Sequence, residues 1–95
     1  MIRKTIYHAI RILKYLDKGP VQGKIMREDL GLGRTYQQQI INKLGDAGLV
    51  ITRPGIHGGI ESTTALNKIT VQRICNAFDE ECEFYKLGKI KLSQL

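Results

Sequence analysis

The hydrophobic spacing of this chain changes character at Gly48. Before it, apolar residues recur at helical intervals; after it, two β-branched runs flank a glycine-rich stretch. Thr5 to Asp17 places Ile6, Ala9, Ile10, Leu13 and Leu16 on one helical face, and Gly19-Pro20 ends the segment. A short helix is expected from about Lys24 to Asp29, with Ile25 and Met26 turned inward. Leu30-Gly31-Leu32 then makes a tight connection in which Gly31 takes positive φ. A third helix spans about residues 34–47, with Tyr36, Ile40, Leu44 and Ala47 inside and Ile41 on the flank. Leu49–Arg53 and Ile60–Thr64 suit two strands around Pro54-Gly55-Ile56-His57-Gly58-Gly59, a hairpin with a long tip over about residues 49–64. Helix, short helix, turn, helix, hairpin is the order of a winged helix-turn-helix: a mainly α fold with a small β-hairpin.

A fourth helix begins after Thr70, a good N-cap, with Ile69 and Ile74 in the staple positions. Val71, Ile74, Cys75, Phe78, Cys82 and Tyr85 continue it as one apolar stripe. Residues 90–95 fit a strand or a frayed helix. This divides the chain into a winged-helix unit, 1–67, and a C-terminal helix and tail, 68–95. The stripe exceeds what one helix needs to close a core, so Phe78, Cys82 and Tyr85, with Ile90 and Leu92, are expected to face a second copy in a homodimer.

Charge narrows the function. Residues 1–60 hold ten Lys/Arg against four Asp/Glu, whereas residues 61–95 hold five of each. The net charge of +6 therefore resides in the first two thirds, where a polyanion would dock. No apolar run approaches the roughly 20 residues that span a bilayer, and the N-terminus lacks the pattern of a secretion signal. A cytoplasmic protein without membrane contact is expected.

In a helix-turn-helix the second helix enters the major groove with its N-terminal residues at the base edges. With Ile40 at the centre of the buried face of 34–47, Thr35, Gln38 and Asn42 lie nearly opposite, beside Arg34. Gln or Asn pairs with adenine, Arg with guanine, and the Thr methyl meets thymine. This stripe is free of carboxylates up to Asp46. In the wing, Arg53 is the cationic candidate for a narrow minor groove, and His57, read as a neutral loop residue, is the weaker one. Such a protein needs two half-sites, which again implies a dimer on double-stranded DNA. A protein-docking module is the alternative. An enzyme is disfavoured, because no nucleophile–base set, phosphate-binding glycine motif or metal-ligand cluster is visible.

Cys75 and Cys82 are the two cysteines. On a continuous helix they stand about 10 Å apart at 1.5 Å per residue, too far for a disulfide. Neither a metal nor a cofactor is expected.

The chain resembles the Rrf2 family of bacterial winged-helix regulators over roughly residues 5–82. The likeness rests on Tyr7-His8-Ala9-Ile10-Arg11, Gly19-Pro20-Val21, Thr35-Tyr36-Gln37-Gln38-Gln39-Ile40, Lys43-Leu44, Ala47-Gly48-Leu49-Val50, Gly58-Gly59 and Ile69-Thr70-Val71. The resemblance implies base contacts from Thr35, Tyr36 and Gln38 and a minor-groove contact from the wing. It also shows departures. Gly33 replaces the usual capping Ser, Gln38 replaces a common Glu, and Pro54 stands where the wing arginine usually lies, leaving Arg53 to substitute. The three closely spaced cysteines of cluster-binding members are not found in this sequence, which stops before the position of the long dimerisation helix that such proteins append.

Overall fold

The computed structural model describes residues 3–82 and 85–95. Helix α1 spans Lys4–Leu16 and buries Ile6, Ala9, Ile10, Leu13 and Leu16 as its spacing requires, together with Ile12. Helix α2 is Gly23–Leu30 and α3 is Arg34–Asp46. Both end in the same way. Gly31 (φ 70°) donates to the Glu28 carbonyl while Leu32 donates to that of Arg27. Gly48 (φ 76°) and Leu49 repeat this on Gly45 and Leu44. This paired closure needs a left-handed residue, which glycine supplies without a Cβ clash. Each glycine is followed by a leucine that turns back toward the core; Leu49 is fully buried.

The hairpin consists of β1, Val50–Arg53, and β2, Gly59–Ser62, antiparallel with Val50 opposite Ser62 and Arg53 opposite Gly59. A third strand-like contact joins it. Val21, in the α1–α2 connection, exchanges both backbone hydrogen bonds with Ile60, at 2.9 and 2.8 Å. Ile60, Val50 and Leu49 carry the hairpin's apolar side into the same core as α1 and α3.

Helix α2 departs from expectation in one respect. Met26 is fully buried, but Ile25 is 53% exposed. Neighbouring helical residues diverge by about 100°, and a helix this short presents only one narrow face to the core. Met26 takes it.

The C-terminal third differs more. After a 3-10 turn at Leu66–Lys68, Thr70 caps helix α4, its hydroxyl accepting from the Arg73 backbone at 3.2 Å, and Ile69 and Ile74 are both fully buried. Yet α4 is only Val71–Ala77. Asp79 adopts φ 53°, and Glu80 donates to the Cys75 carbonyl at 2.9 Å while Asp79 donates to that of Asn76. This is the closure of α2 and α3 again, made without glycine. The chain reverses there, so the apolar stripe does not continue as one helix. A short α5 follows at Tyr85–Gly88, then a 3-10 turn at Leu92–Gln94.

The tail folds back onto its own chain. Val71 donates to Ile90 and Leu92 to Ile69, at 2.9 and 2.8 Å, and Leu92 is fully buried. Leu92 is therefore a core residue rather than a partner contact. Phe78, Cys82 and Ile90 are half-buried against that same core. The side chain of Tyr85, the third residue expected at a dimer interface, lies outside the described residues. Ile69, Val71, Ile74, Cys75 and Leu92 belong to the same core as the buried residues of α1, α3 and the hairpin.

Candidate nucleic-acid interface

Helix α3 presents Arg34, Thr35, Gln38 and Asn42 to solvent, as its periodicity requires. Gln39 and Lys43 extend the exposed surface along one flank, and Asp46 stands at its far end. Gln38 donates through Nε2 to Asn42 Oδ1 at 2.9 Å. Residues four apart on a helix are neighbours, and an amide pair at this spacing restrains two otherwise free side chains. The Gln38 carbonyl oxygen and the Asn42 amide remain available. Together they offer an acceptor and a donor, the combination that adenine answers in the major groove. At the start of α3 Gly33 is the N-cap and no side chain caps the helix. The first-turn backbone N–H groups and the positive end of the helix dipole are then open to an anion such as phosphate.

Tyr36 is placed differently from the other three. Its ring packs edge-on against His8 of α1, centroids 5.6 Å apart, and its hydroxyl is buried without a hydrogen-bond partner. It braces α3 against α1 rather than standing in the exposed stripe. His8 also accepts from Arg11 through Nδ1 at 3.2 Å, and Arg11 reaches the Leu30 carbonyl at the end of α2. Burial, then the nearby Arg11 and Lys4 cations, hold the His8 imidazole below its usual pKa. Arg3, at the head of α1, pairs with Glu80 at 3.0 Å, so its charge is partly answered within the chain.

Gln37 is a residue the sequence reading missed. It is 4% exposed, and its Nε2 donates to the Gly23 carbonyl at 3.0 Å, joining α3 to the first residue of α2. The signal was present: Gln37, Ile40, Ile41 and Leu44 stand at i, i+3, i+4 and i+7, and all four are buried.

In the wing, Arg53 and His57 are both exposed, and so is the tip residue Ile56 at 88%. Arg53 is not free. Its guanidinium meets the Glu61 carboxylate across the hairpin at 2.8 Å. The tip is held from outside by Gln22, a second residue not anticipated, whose Nε2 donates to the carbonyls of Gly58 at 3.1 Å and Ile56 at 3.4 Å. Beneath it the wing approaches the connection before α2 so closely that a Cβ at Gly59 would lie 2.6 Å from the Val21 carbonyl oxygen. Val21, Gln22 and Gly23 thus tie β2, the wing tip and α3 to a single stretch of backbone.

A helix without a side-chain N-cap, bearing amides and a cation, thus stands beside a hairpin with an exposed tip. The Rrf2 family profile, described as an iron-dependent transcriptional regulator, matches residues 2–93. The chain belongs to the Rrf2 family. No curated protein matches it closely enough to count as a relative. Among solved structures, this Rrf2 chain is similar to CymR (YrzC), the global cysteine regulator of B. subtilis, with 24% identity and a TM-score of 0.75 over 85% of this chain and 66% of that one. A protein from Listeria innocua assigned as a transcriptional regulator is 28% identical, with a TM-score of 0.73 over 81% and 56% of the two chains. T. potens IscR is 22% identical, with a TM-score of 0.75 over 98% and 83%. The chain thus spans about two thirds or less of the first two structures. The winged-helix architecture is shared with all three.

The family description raises the question of iron. Typical iron–sulfur clusters take four protein ligands, chiefly cysteine thiolates. The whole sequence has two cysteines, and among the described residues no group of three or more His, Cys, Asp or Glu side chains is placed to hold a metal. The donor set of this Rrf2 chain does not fit a cluster ligated by one copy, and no step of its function is derived through one. No helix among the described residues is long and apolar enough to cross a membrane.

Proposed function

We propose that this chain is a sequence-specific, double-stranded-DNA-binding transcriptional regulator that acts in the cytoplasm as a homodimeric repressor, without catalytic activity. The observation that carries the reading is the exposed stripe of α3, Arg34, Thr35, Gln38 and Asn42, free of carboxylates and ordered by the Gln38–Asn42 hydrogen bond. Placed in the major groove, it meets base edges with groups that discriminate among them. The wing then lies toward the adjacent minor groove, where Arg53 exchanges its partner Glu61 for phosphate or the groove floor and His57 lies alongside. Tyr36 serves by holding the angle of α3 against His8.

The dimer follows from what DNA requires. One short helix reads too few base pairs for useful specificity, and two copies related by a two-fold axis address half-sites about 34 Å apart. The part-exposed Phe78 and Cys82, with Tyr85, are the proposed contact.

Selection of binding sites from random duplexes, followed by sedimentation of the complex, tests both elements. A recovered palindromic motif with two chains per duplex is the expected result. Recovery of no motif, with weak binding that vanishes in salt, would leave the winged helix as a protein-docking module instead.

A further inference from the structure

The reversal at Asp79 has brought together two side chains that a continuous helix would keep apart. Cys82 Sγ lies 2.9 Å from Cys75 Sγ, although the residues are seven positions apart, and both thiols are free. The expectation that they are too distant to bond is therefore overturned. A disulfide has an S–S length of about 2.05 Å, so joining them asks for less than about 1 Å of approach. The surroundings keep them there. Glu80, between them, is fixed by its backbone bond to the Cys75 carbonyl and by its ion pair with Arg3 of α1. Gly88 of α5 lies beside Cys82, where a Cβ would stand 3.6 Å from its Sγ.

We infer that Cys75 and Cys82 form a reversible intramolecular redox couple, oxidised to a disulfide by peroxide. The proposal is independent of DNA binding. In a single free copy the two thiols have unequal access: Cys75 is 4% exposed, whereas Cys82 is half-buried and is reached first, before the proposed dimer contact covers it. Burial, aided by the neighbouring thiol, pushes Cys75 up to about 12, so it does not react with peroxide on its own. The Cys82 thiolate attacks one oxygen of hydrogen peroxide. An S–O bond forms, the O–O bond breaks, and hydroxide leaves, taking the thiol proton as water. Cys75 sulfur then attacks the Cys82 sulfenic sulfur. The S–S bond forms, the S–O bond breaks, and the departing hydroxide takes the Cys75 proton as a second water. Two thiols lose two electrons and one peroxide becomes two waters. The bond locks the end of α4 to the segment before α5. Arg73, on the same helix α4 as Cys75, reaches the carbonyl of Ala47, the C-cap of α3, at 3.4 Å.

Mass spectrometry of the full chain after stoichiometric hydrogen peroxide tests this. The expected product is a monomeric chain lighter by two hydrogens, with both cysteines refractory to alkylation and restored by dithiothreitol. Cleavage after Glu80 or Glu81 should leave the Cys75 and Cys82 peptides linked until reduction. Cys75→Ser should instead accumulate Cys82 as a sulfenic acid that dimedone traps. Addition of oxygen to Cys82 while Cys75 stays alkylatable, or a disulfide linking two chains, would overturn the proposal. Because these readouts are made on the wild-type chain as well, misfolding of a variant does not rescue it.

Discussion

Gln38 and Asn42 are joined by a 2.9 Å hydrogen bond between their side-chain amides, one helical turn apart on the open face of α3. In the proposed complex each would therefore meet DNA already oriented by the other. Gln38→Ala removes one reading group and frees the second. On the preferred duplex the expected loss is about 1–3 kcal/mol, with discrimination relaxed at one base pair. Competition binding against single-base variants of the site measures this. Equal losses on specific and random DNA would take Gln38 out of the reading role.

The Arg53–Glu61 pair makes the wing's cation conditional. If the wing meets DNA as proposed, phosphate must displace a carboxylate 2.8 Å from the guanidinium before Arg53 contributes. Glu61→Gln should therefore strengthen binding to all sequences. It should also steepen the dependence of log K on log salt by up to about one unit, the signature of one further phosphate contact. Arg53→Ala should do the opposite, and should erase the effect of Glu61→Gln when the two are combined. A salt titration in which Glu61→Gln changes nothing would place the wing off the DNA.

Gly59→Ala should damage the wing's seat while sparing most of the helices. The backbone there has φ 147°, and a Cβ would press within 2.6 Å of the Val21 carbonyl oxygen that accepts from Ile60. Strain of this kind costs about 1–3 kcal/mol, and loss of the Val21–Ile60 bridge adds to it. Urea unfolding gives the stability change, and a far-UV spectrum near that of the wild type would show that the helices remain. An unchanged denaturation midpoint would contradict the close approach.

Acid should loosen the junction of α1 with α3. The pKa of His8 in the folded chain lies below its ordinary 6.5, chiefly through burial. Above that ordinary value both folded and unfolded states hold neutral imidazole, and the contribution is fully present. As pH falls, the unfolded chain takes up its proton first, so stability declines toward the lowered folded value. The geometry agrees, because an imidazolium can no longer accept from Arg11 through Nδ1. Melting temperature should fall on acidification, and more steeply than in His8→Gln. Identical pH profiles would remove His8 as the source.

Local spacing made much of this molecule legible. The stripe of α3, the core faces of α1 and the glycine closures after α2 and α3 follow from residues within a turn or two of one another. What escaped depended on distant partners or on a missing signal. Gln37 sits at a core position, but its acceptor, the Gly23 carbonyl, is unknowable until α2 is placed. The bridge from Val21 to Ile60 joins residues across two helices. The end of α4 was invisible for a different reason: Asp79 holds the left-handed position that glycine marks elsewhere, so an apolar spacing that runs on past it reads as continuous helix. That one turn also decided the fate of Leu92 and the distance between the two thiols.

The short run Val21-Gln22-Gly23 behaves as the crotch of a two-pronged fork. It bonds one prong through Ile60 and the tip carbonyls, and the other through Gln37. A fork of fixed gape imposes its own dimension on what it grips. In the proposed complex, the offset along a duplex between a base edge touched by α3 and a groove entered by the hairpin would then be a property of the protein. DNA that departs from this offset must twist or narrow to comply. Sequences would be sorted by how cheaply they deform as well as by the bases they display.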